Sequence, residues 1–325
     1  MKRVILVNII IISILLISLE IITRVFSMSG IMGMDSNLIE NTNGINELKK
    51  NSKGKVFGKI VYTDSNGFRV PIENFEYSKD HSSIFIIGDS VAFGNGVDEK
   101  KTFIGSLRIK NKNINFLNSS VPGYQIFEHN KNVNKLNDFK KIKKIFYVFT
   151  LNDVFEINRT NNNNQKSSKT NSFFKRLKKT KFFQFINEYL RNKSYLYMYI
   201  KGIASDPSKR YFQYALNYYK NKNDFTDIEV YLSKLKNISL ARNIDLKIII
   251  LPYEFQTRKD NCIKENLIPQ QIIEKILISL EVQYKNYTDF FCGSINPKSL
   301  FYKFDPMHLS EKGHKLVFLK MLKEI

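Results

Sequence analysis

The chain has 325 residues, 51 Lys and Arg against 30 Asp and Glu, a formal charge of +21 at pH 7, and 43% hydrophobic residues. That composition excludes a disordered or collagen-like chain and suffices for one domain with a large core. Two cysteines, Cys262 and Cys292, are too few for a disulfide scaffold and are not spaced as a zinc ribbon or a redox CxxC pair, so neither metal nor cofactor is expected.

At the amino terminus Lys2 and Arg3 precede the run Val4 to Leu19, in which only Asn8, Ser13 and Ser18 are polar, and Glu20 and Arg24 follow. Sixteen residues of helix span about 24 Å against a hydrocarbon core of about 30 Å, and continuing through Ile22 with Glu20 reaching for the interface closes the gap. The segment, residues 1–26, reads first as an uncleaved single-pass anchor. The rival reading is a cleaved signal peptide, with the small residues of Ser27-Met28-Ser29 at the −3 and −1 positions. Positive charge at the extreme terminus keeps that end in the cytoplasm. The expected location is therefore the inner membrane, with the remaining chain periplasmic or otherwise extracytoplasmic.

Residues 27–57 are polar, rich in Gly, Ser, Asn and Lys, and read as a stalk. Lys59-Ile60-Val61-Tyr62 and Phe68-Arg69-Val70 flank Asp64-Ser65-Asn66-Gly67, whose Asn-Gly predicts a tight turn between two short strands. Residues 27–80 are thus stalk and amino-terminal strands, and residues 81–325 the main domain. Within it, short apolar runs recur at 83–87, 114–117, 145–149 and 246–251, continuous rather than alternating, as in strands buried on both faces. Helical patterns lie around 101–110, 128–139, 228–242 and 269–280, with a last helix from Glu311 behind a Ser310 N-cap. Alternating strand and helix predicts a doubly wound, flavodoxin-like three-layer α/β/α sandwich on a parallel sheet, with sites at the carboxyl ends of the strands.

Polar blocks follow those runs: Gly88-Asp89-Ser90-Val91-Ala92-Phe93-Gly94 after the first, Asn118 to Tyr124 after the second, Thr150-Leu151-Asn152-Asp153 after the third, and Asp305-Pro306-Met307-His308 before the last helix. A serine becomes a nucleophile when a base takes its proton and a third group holds that base in the right tautomer. Ser90 sits in a Gly-flanked turn at a strand end, and Asp305 and His308 share one short loop. An oxyanion needs preplaced donors, and the backbone N–H groups of Ser90 and Gly123 with the side-chain amide of Asn152 supply three. Asp89 and Asp153 are expected to hold loops through side-chain to backbone hydrogen bonds. His314 reads as a helix-face residue and His129 as structural or solvent exposed, while Pro252-Tyr253-Glu254 is placed to line the pocket.

This order of blocks, over about residues 81–160 and 240–325, resembles the SGNH (GDSL-like) hydrolase family. The resemblance implies Ser90 as nucleophile, His308 as base, Asp305 as orienting acid, and Ser90, Gly123 and Asn152 as oxyanion donors. The family's third block reads Gly-x-Asn-Asp. Thr150 stands in place of its Gly, adding bulk that is expected to alter the acyl pocket more than the chemistry. Asn66-Gly67-Phe68-Arg69 and Gly94-Asn95-Gly96-Val97 look like the membrane-anchored bacterial subgroup associated with surface polysaccharides.

The positive charge concentrates in an insert at about 160–225: residues 161–223 carry 14 Lys and Arg against Glu188 and Asp206, interleaved with Phe and Tyr. Asn161 to Asn164 read as a flexible loop entering it. The insert fits a helical lid, a surface for anionic lipid or a platform for an acidic glycan, or simply core aromatics beneath a solvated lysine face. If lipid is its partner, Lys175, Arg176, Lys178, Lys179 and Lys181 carry the vesicle binding. A nucleic-acid partner is not expected outside the cytoplasm. The leading function is a serine esterase removing O-acyl groups, acetyl foremost, from a cell-envelope carbohydrate. The alternatives are an O-acyltransferase acting on a surface polysaccharide and a non-catalytic glycan-binding module. In an oxidising compartment Cys262 and Cys292 are expected to lie close enough to pair.

Overall fold

The computed structural model describes residues 2–26, 30–42, 45–139, 141–155 and 180–325. Ser27-Met28-Ser29 and the first part of the basic insert, with Asn161 to Asn164, Lys175, Arg176, Lys178 and Lys179, lie outside the described residues. The chain divides into two compact units, Met34–Phe155 with Asp206–Ile325, and Met1–Gly33 with Glu156–Ser205.

The strands are β1 (Ile39–Thr42), β2 (Ile45–Leu48), β3 (Lys53–Val56), β4 (Lys59–Thr63), β5 (Arg69–Val70), β6 (Ser82–Gly88), β7 (Ile114–Asn118), β8 (Ile142–Phe149), β9 (Asp245–Ile250) and β10 (Gln283–Asn286). The helices are α1 (Lys2–Val25), α2 (Ser90–Phe93), α3 (Phe103–Lys110), α4 (Ile126–Asn134), α5 (Lys181–Lys193), α6 (Tyr195–Ala204), α7 (Pro207–Asn221), α8 (Thr226–Ala241), α9 (Glu254–Thr257), α10 (Ile268–Ser279), α11 (Thr288–Cys292) and α12 (Glu311–Met321).

In the larger unit one sheet runs β10-β9-β8-β6-β7-β5-β4-β3. Its first five strands are parallel, and read from β7 they take the order 2-1-3-4-5 of a flavodoxin-like doubly wound sheet. The apolar runs become strands buried on both faces because helices cover each side: from Ser83 to Gly88 every residue of β6 is buried, as is every residue of β8 from Ile145. Side-chain caps start the helices where polar residues offered them, Thr102 accepting from the Gly105 N–H and Ser310 from the Gly313 N–H. The disulfide Cys262–Cys292, Cα–Cα 6.1 Å, ties the loop after α9 to the end of α11.

The sheet is mixed rather than wholly parallel. Beyond β7 it is extended by β5, β4 and β3, all antiparallel. The turn at Asp64–Gly67 closes as its Asn-Gly predicts, the Gly67 N–H donating to the Asp64 carbonyl at 3.0 Å. Residues 34–57, polar enough to pass for a stalk, carry β1–β3, and Leu38, Leu48 and Val56 from them are buried with Val61, Phe93 and Val121 in a second small core. Four-residue strands hold too few apolar positions to show a period, so single buried residues anchor this segment.

The smaller unit holds α1, α5 and α6. α1 is 24 residues long, long and apolar enough to cross a membrane, about 36 Å of helix against a hydrocarbon core of about 30 Å. α5 and α6 meet at Ser194, which ends the first and caps the second by accepting the Tyr197 N–H.

Candidate active site

β6 ends at Gly88 and the chain turns at once into the short helix α2, so Ser90 lies in a first helical turn at the carboxyl edge of the sheet. The first N–H groups of such a turn have no acceptor one turn back within the helix and take their partners from elsewhere. Asp89 caps the turn, its Oδ1 accepting the Val91 N–H at 2.8 Å. The helix stops at Gly94, whose φ of 87° is left-handed and where a Cβ would meet Thr102 Cγ2 at 2.6 Å. Arg69, fully buried, holds the loop that follows: its guanidinium donates to the carbonyls of Phe93 at 2.6 Å, Gly94 at 2.7 Å and Val97 at 2.6 Å. Burial pushes its pKa down to about 10, with Glu99 pulling the other way, so it stays charged at neutral pH.

His308 comes from the loop before α12. Asp305 folds that loop by accepting the N–H groups of Met307 at 2.9 Å and His308 at 2.8 Å on Oδ1, leaving Oδ2 for His308 Nδ1 at 2.8 Å. The other ring nitrogen, Nε2, lies 2.8 Å from Ser90 Oγ. Burial opposes charge on His308, but the Asp305 carboxylate and its hydrogen bond outweigh it and raise the imidazole pKa. Conversely, burial works against the Asp305 charge, and the imidazole with the two backbone N–H groups overcomes it, holding the carboxyl below its usual range. The loop is fixed from three sides: the Glu254 N–H donates to the Pro306 carbonyl, the Ser208 hydroxyl to the Asp305 carbonyl, and the Tyr302 N–H to the His308 carbonyl.

Asn152 reaches the same region through Asp89. Its Nδ2 donates to Asp89 Oδ2 at 3.1 Å, and its Oδ1 accepts the Tyr253 hydroxyl at 2.8 Å. A carboxylate oxygen can only accept, so Asp89 fixes which way the amide points, and one N–H of Nδ2 is left for another acceptor. Gly123 sits on the neighbouring loop, tied to the nucleophile turn by the Val121 N–H on the Gly88 carbonyl at 3.0 Å. It is exposed, its φ is 84°, and a Cβ there would meet nothing within 4 Å, so the glycine serves the backbone conformation. The structure thus joins Ser90, His308 and Asp305 directly, links Asn152 to them through Asp89, and sets Gly123 one loop away.

Thr150 does not add bulk to a pocket. It is 2% exposed, and its hydroxyl faces Asp89 Oδ2 at 2.9 Å and Asp153 Oδ1 at 3.1 Å. Asp89 and Asp153 accordingly bond side chains as well as backbone, Asp153 Oδ2 also accepting the Tyr147 hydroxyl at 2.8 Å and the Thr150 N–H at 3.2 Å. A hydroxyl has one proton to give two carboxylates. Burial first, and the Asp89 charge second, raise the Asp153 pKa well above its ordinary value.

Three contributors lay beyond sequence reasoning. Phe57, from the residues expected to form a stalk, sets its ring edge-on to His308 at 5.0 Å. Arg69 stood in a noted motif without a role, and Tyr253 was placed at the pocket wall but is fully buried as a donor to Asn152. His129 and His314 are buried, and burial pushes each down to about 3, so both are neutral. His129 packs against Tyr124 and Tyr147, and His314 stacks on Phe103 and accepts its N–H at 3.2 Å.

No family model and no curated protein matches the chain. Solved structures similar to it include a member of the lipolytic G-D-S-L family from Veillonella parvula, 12% identical over 74% of this chain and 97% of that one, with a TM-score of 0.44. Others are a lipase/acylhydrolase from Enterococcus faecalis, 12% identical over 75% and 95% with a TM-score of 0.43, and a psychrotrophic esterase from a Pseudoalteromonas species, 14% identical over 74% and 95% with a TM-score of 0.42.

Proposed function

We propose that the protein is a serine esterase of the SGNH (GDSL-like) type. The observation that carries this reading is the unbroken chain Ser90 Oγ–His308 Nε2 and His308 Nδ1–Asp305 Oδ2, each link 2.8 Å. His308 takes the Ser90 proton as Oγ attacks the ester carbonyl carbon. Asp305 holds the tautomer with the proton on Nδ1 and stabilises the imidazolium. The oxyanion forms against the N–H groups of Ser90 and Gly123 and the free N–H of Asn152, where each donor contributes about 3 to 4 kcal/mol. His308 then protonates the leaving alkoxide, the acyl group remains on Ser90, and water activated by His308 returns the free serine and the carboxylic acid.

The substrate we infer is an O-acyl group, acetyl foremost, on a cell-envelope carbohydrate. Supporting it is α1, read as a single-pass anchor in the inner membrane with the esterase domain on the extracytoplasmic side, where a disulfide such as Cys262–Cys292 persists. The test is turnover of p-nitrophenyl acetate by the full chain in detergent, with Ser90→Ala beside it. Turnover lost in the variant with unchanged circular dichroism supports the reading, and equal turnover in both proteins refutes it.

A further inference from the structure

α5 shows an apolar stripe that nothing among the described residues buries. It buries no side chain, yet it carries Phe182, Phe185, Ile186 and Tyr189 at the i, i+3, i+4 and i+7 positions of one stripe, 74%, 67%, 37% and 58% exposed. Toward α6 the helix turns a polar contact, Asn187 Oδ1 accepting the Tyr197 hydroxyl at 2.7 Å and the Lys201 ammonium at 3.1 Å, while the apolar stripe is left outside. α6 exposes Ile200 and Ile203 as well. A soluble helix turns its polar side to solvent, so an apolar stripe on the outside calls for an apolar surrounding.

What surrounds it follows from α1, in the same unit. The last two turns of α1 clamp the joint between α5 and α6. Glu20 Oε1 accepts the Tyr195 N–H at 2.9 Å, and its Oε2 accepts the Leu196 N–H at 2.9 Å and the Ser194 hydroxyl at 2.8 Å. Arg24 donates to the Lys193 carbonyl at 2.7 Å and lies over the Tyr195 ring, 5.0 Å from its centroid. Glu20 stands five residues before the end of α1, within about one turn of the point where a helix of about 36 Å leaves a hydrocarbon core of about 30 Å. The joint is therefore pinned at the depth where Tyr, Lys and Arg anchor a chain in a membrane interface.

We infer that α5 is an interfacial helix lying on the bilayer that α1 spans, with Phe182, Phe185, Ile186 and Tyr189 set among the lipid headgroups and upper acyl chains. This rests on α1 as the anchor and is independent of the esterase chemistry. Glu20 is then the residue that couples the span to the surface helix, and its three donors with Arg24 relieve the cost of a carboxylate at that depth. A chain cleaved after the apolar run loses this clamp.

The chain has no Trp, so single reporters can be placed without background. Phe182→Trp and Phe185→Trp, both at exposed positions, are made in the full chain, with Leu16→Trp within α1 as the standard for burial in lipid. Each protein is reconstituted into phosphatidylcholine/phosphatidylglycerol vesicles and floated on a density gradient. Indole emission from the Phe182→Trp and Phe185→Trp proteins is expected to fall when the lipid is replaced by lipid brominated near the headgroup, and to resist aqueous iodide. Emission unchanged by brominated lipid overturns the proposal: loss in iodide then means a helix in water, and protection from both means a protein cover. Failure of all three proteins to float overturns the anchor and this proposal with it, whereas floating proteins whose two α5 indoles are blind to lipid overturn this proposal alone.

Discussion

α5 and α7 come from one basic, aromatic stretch of sequence, and they put their aromatics to opposite ends. In α7, Phe212 and Tyr219 are buried in the main core, and their neighbours serve the site: Ser208 holds the Asp305 carbonyl, Tyr218 the Val154 carbonyl and Tyr219 the Leu151 carbonyl, the last two bracketing Asn152 and Asp153. In α5 the aromatics are exposed and none of its side chains is buried. Composition cannot separate these fates because both helices mix Phe and Tyr with Lys and Arg; partners do. α7 lies against α9 and α10 of the larger unit, and α5 against α6 within its own. The carboxyl-terminal helix of the insert is thus scaffold for the candidate site.

Substitutions can break or sharpen that division. The largest loss belongs to the site itself: His308→Ala is expected to lower kcat about 10⁴- to 10⁶-fold with p-nitrophenyl acetate, since the triad acts as a unit. In the proposed mechanism turnover rises as the imidazole loses its proton, and because Asp305 raises that pKa, the acid limb of kcat/KM is expected to have its midpoint above the usual histidine value. Asp305→Asn should move the midpoint down, and a midpoint that ignores Asp305 removes it from the relay.

Next come α7 and the residues it supports. Phe212→Ala opens a cavity in the core and is expected to cost about 3 to 5 kcal/mol of stability in urea unfolding of the full chain, lowering activity through population rather than chemistry. Asn152→Ala removes a donor that binds the oxyanion more strongly than the ground-state carbonyl, so kcat should fall about 10²- to 10³-fold with KM little changed. A change in KM alone places Asn152 in substrate binding. Thr150→Val keeps the shape and deletes the hydroxyl between Asp89 and Asp153, at an expected cost of about 1 to 3 kcal/mol in the same unfolding experiment. The smallest effect belongs to α5: Phe182→Ala should change stability by less than about 0.5 kcal/mol and leave turnover of a soluble acetate intact. A large loss of turnover there makes α5 part of the site.

The legible parts of the molecule are those where one residue carries its own reason. Continuous apolar runs announced β6, β7, β8 and β9, and the polar blocks after β6 and β8 made Ser90 and Asn152 candidates, because a doubly wound sheet presents strand ends to substrate, while His308 stood out in the block before the last helix. Asp305 and His308 share a turn, so their pairing needed no long-range knowledge. What stayed hidden depends on residues far apart in the chain. β10, Gln283–Asn286, is a polar edge strand whose identity comes only from pairing with β9. Phe57 reaches His308, and Tyr253 reaches Asn152, across separations that no local period encodes. Thr150 looked like bulk because a hydroxyl between two carboxylates is visible only once Asp89 and Asp153 are brought to it.

The central claim is that Ser90 is a nucleophile made reactive by His308 and Asp305, and covalent capture tests it most directly. The full chain in detergent is treated with a small fluorophosphonate and digested, and the modified peptide is sequenced by mass spectrometry. The account predicts one phosphonyl group, on Ser90, formed with the wild type and lost with His308→Ala although Ser90 remains. Absence of labelling in the wild type, or labelling of Ser90 that persists at the same rate without His308, would contradict it.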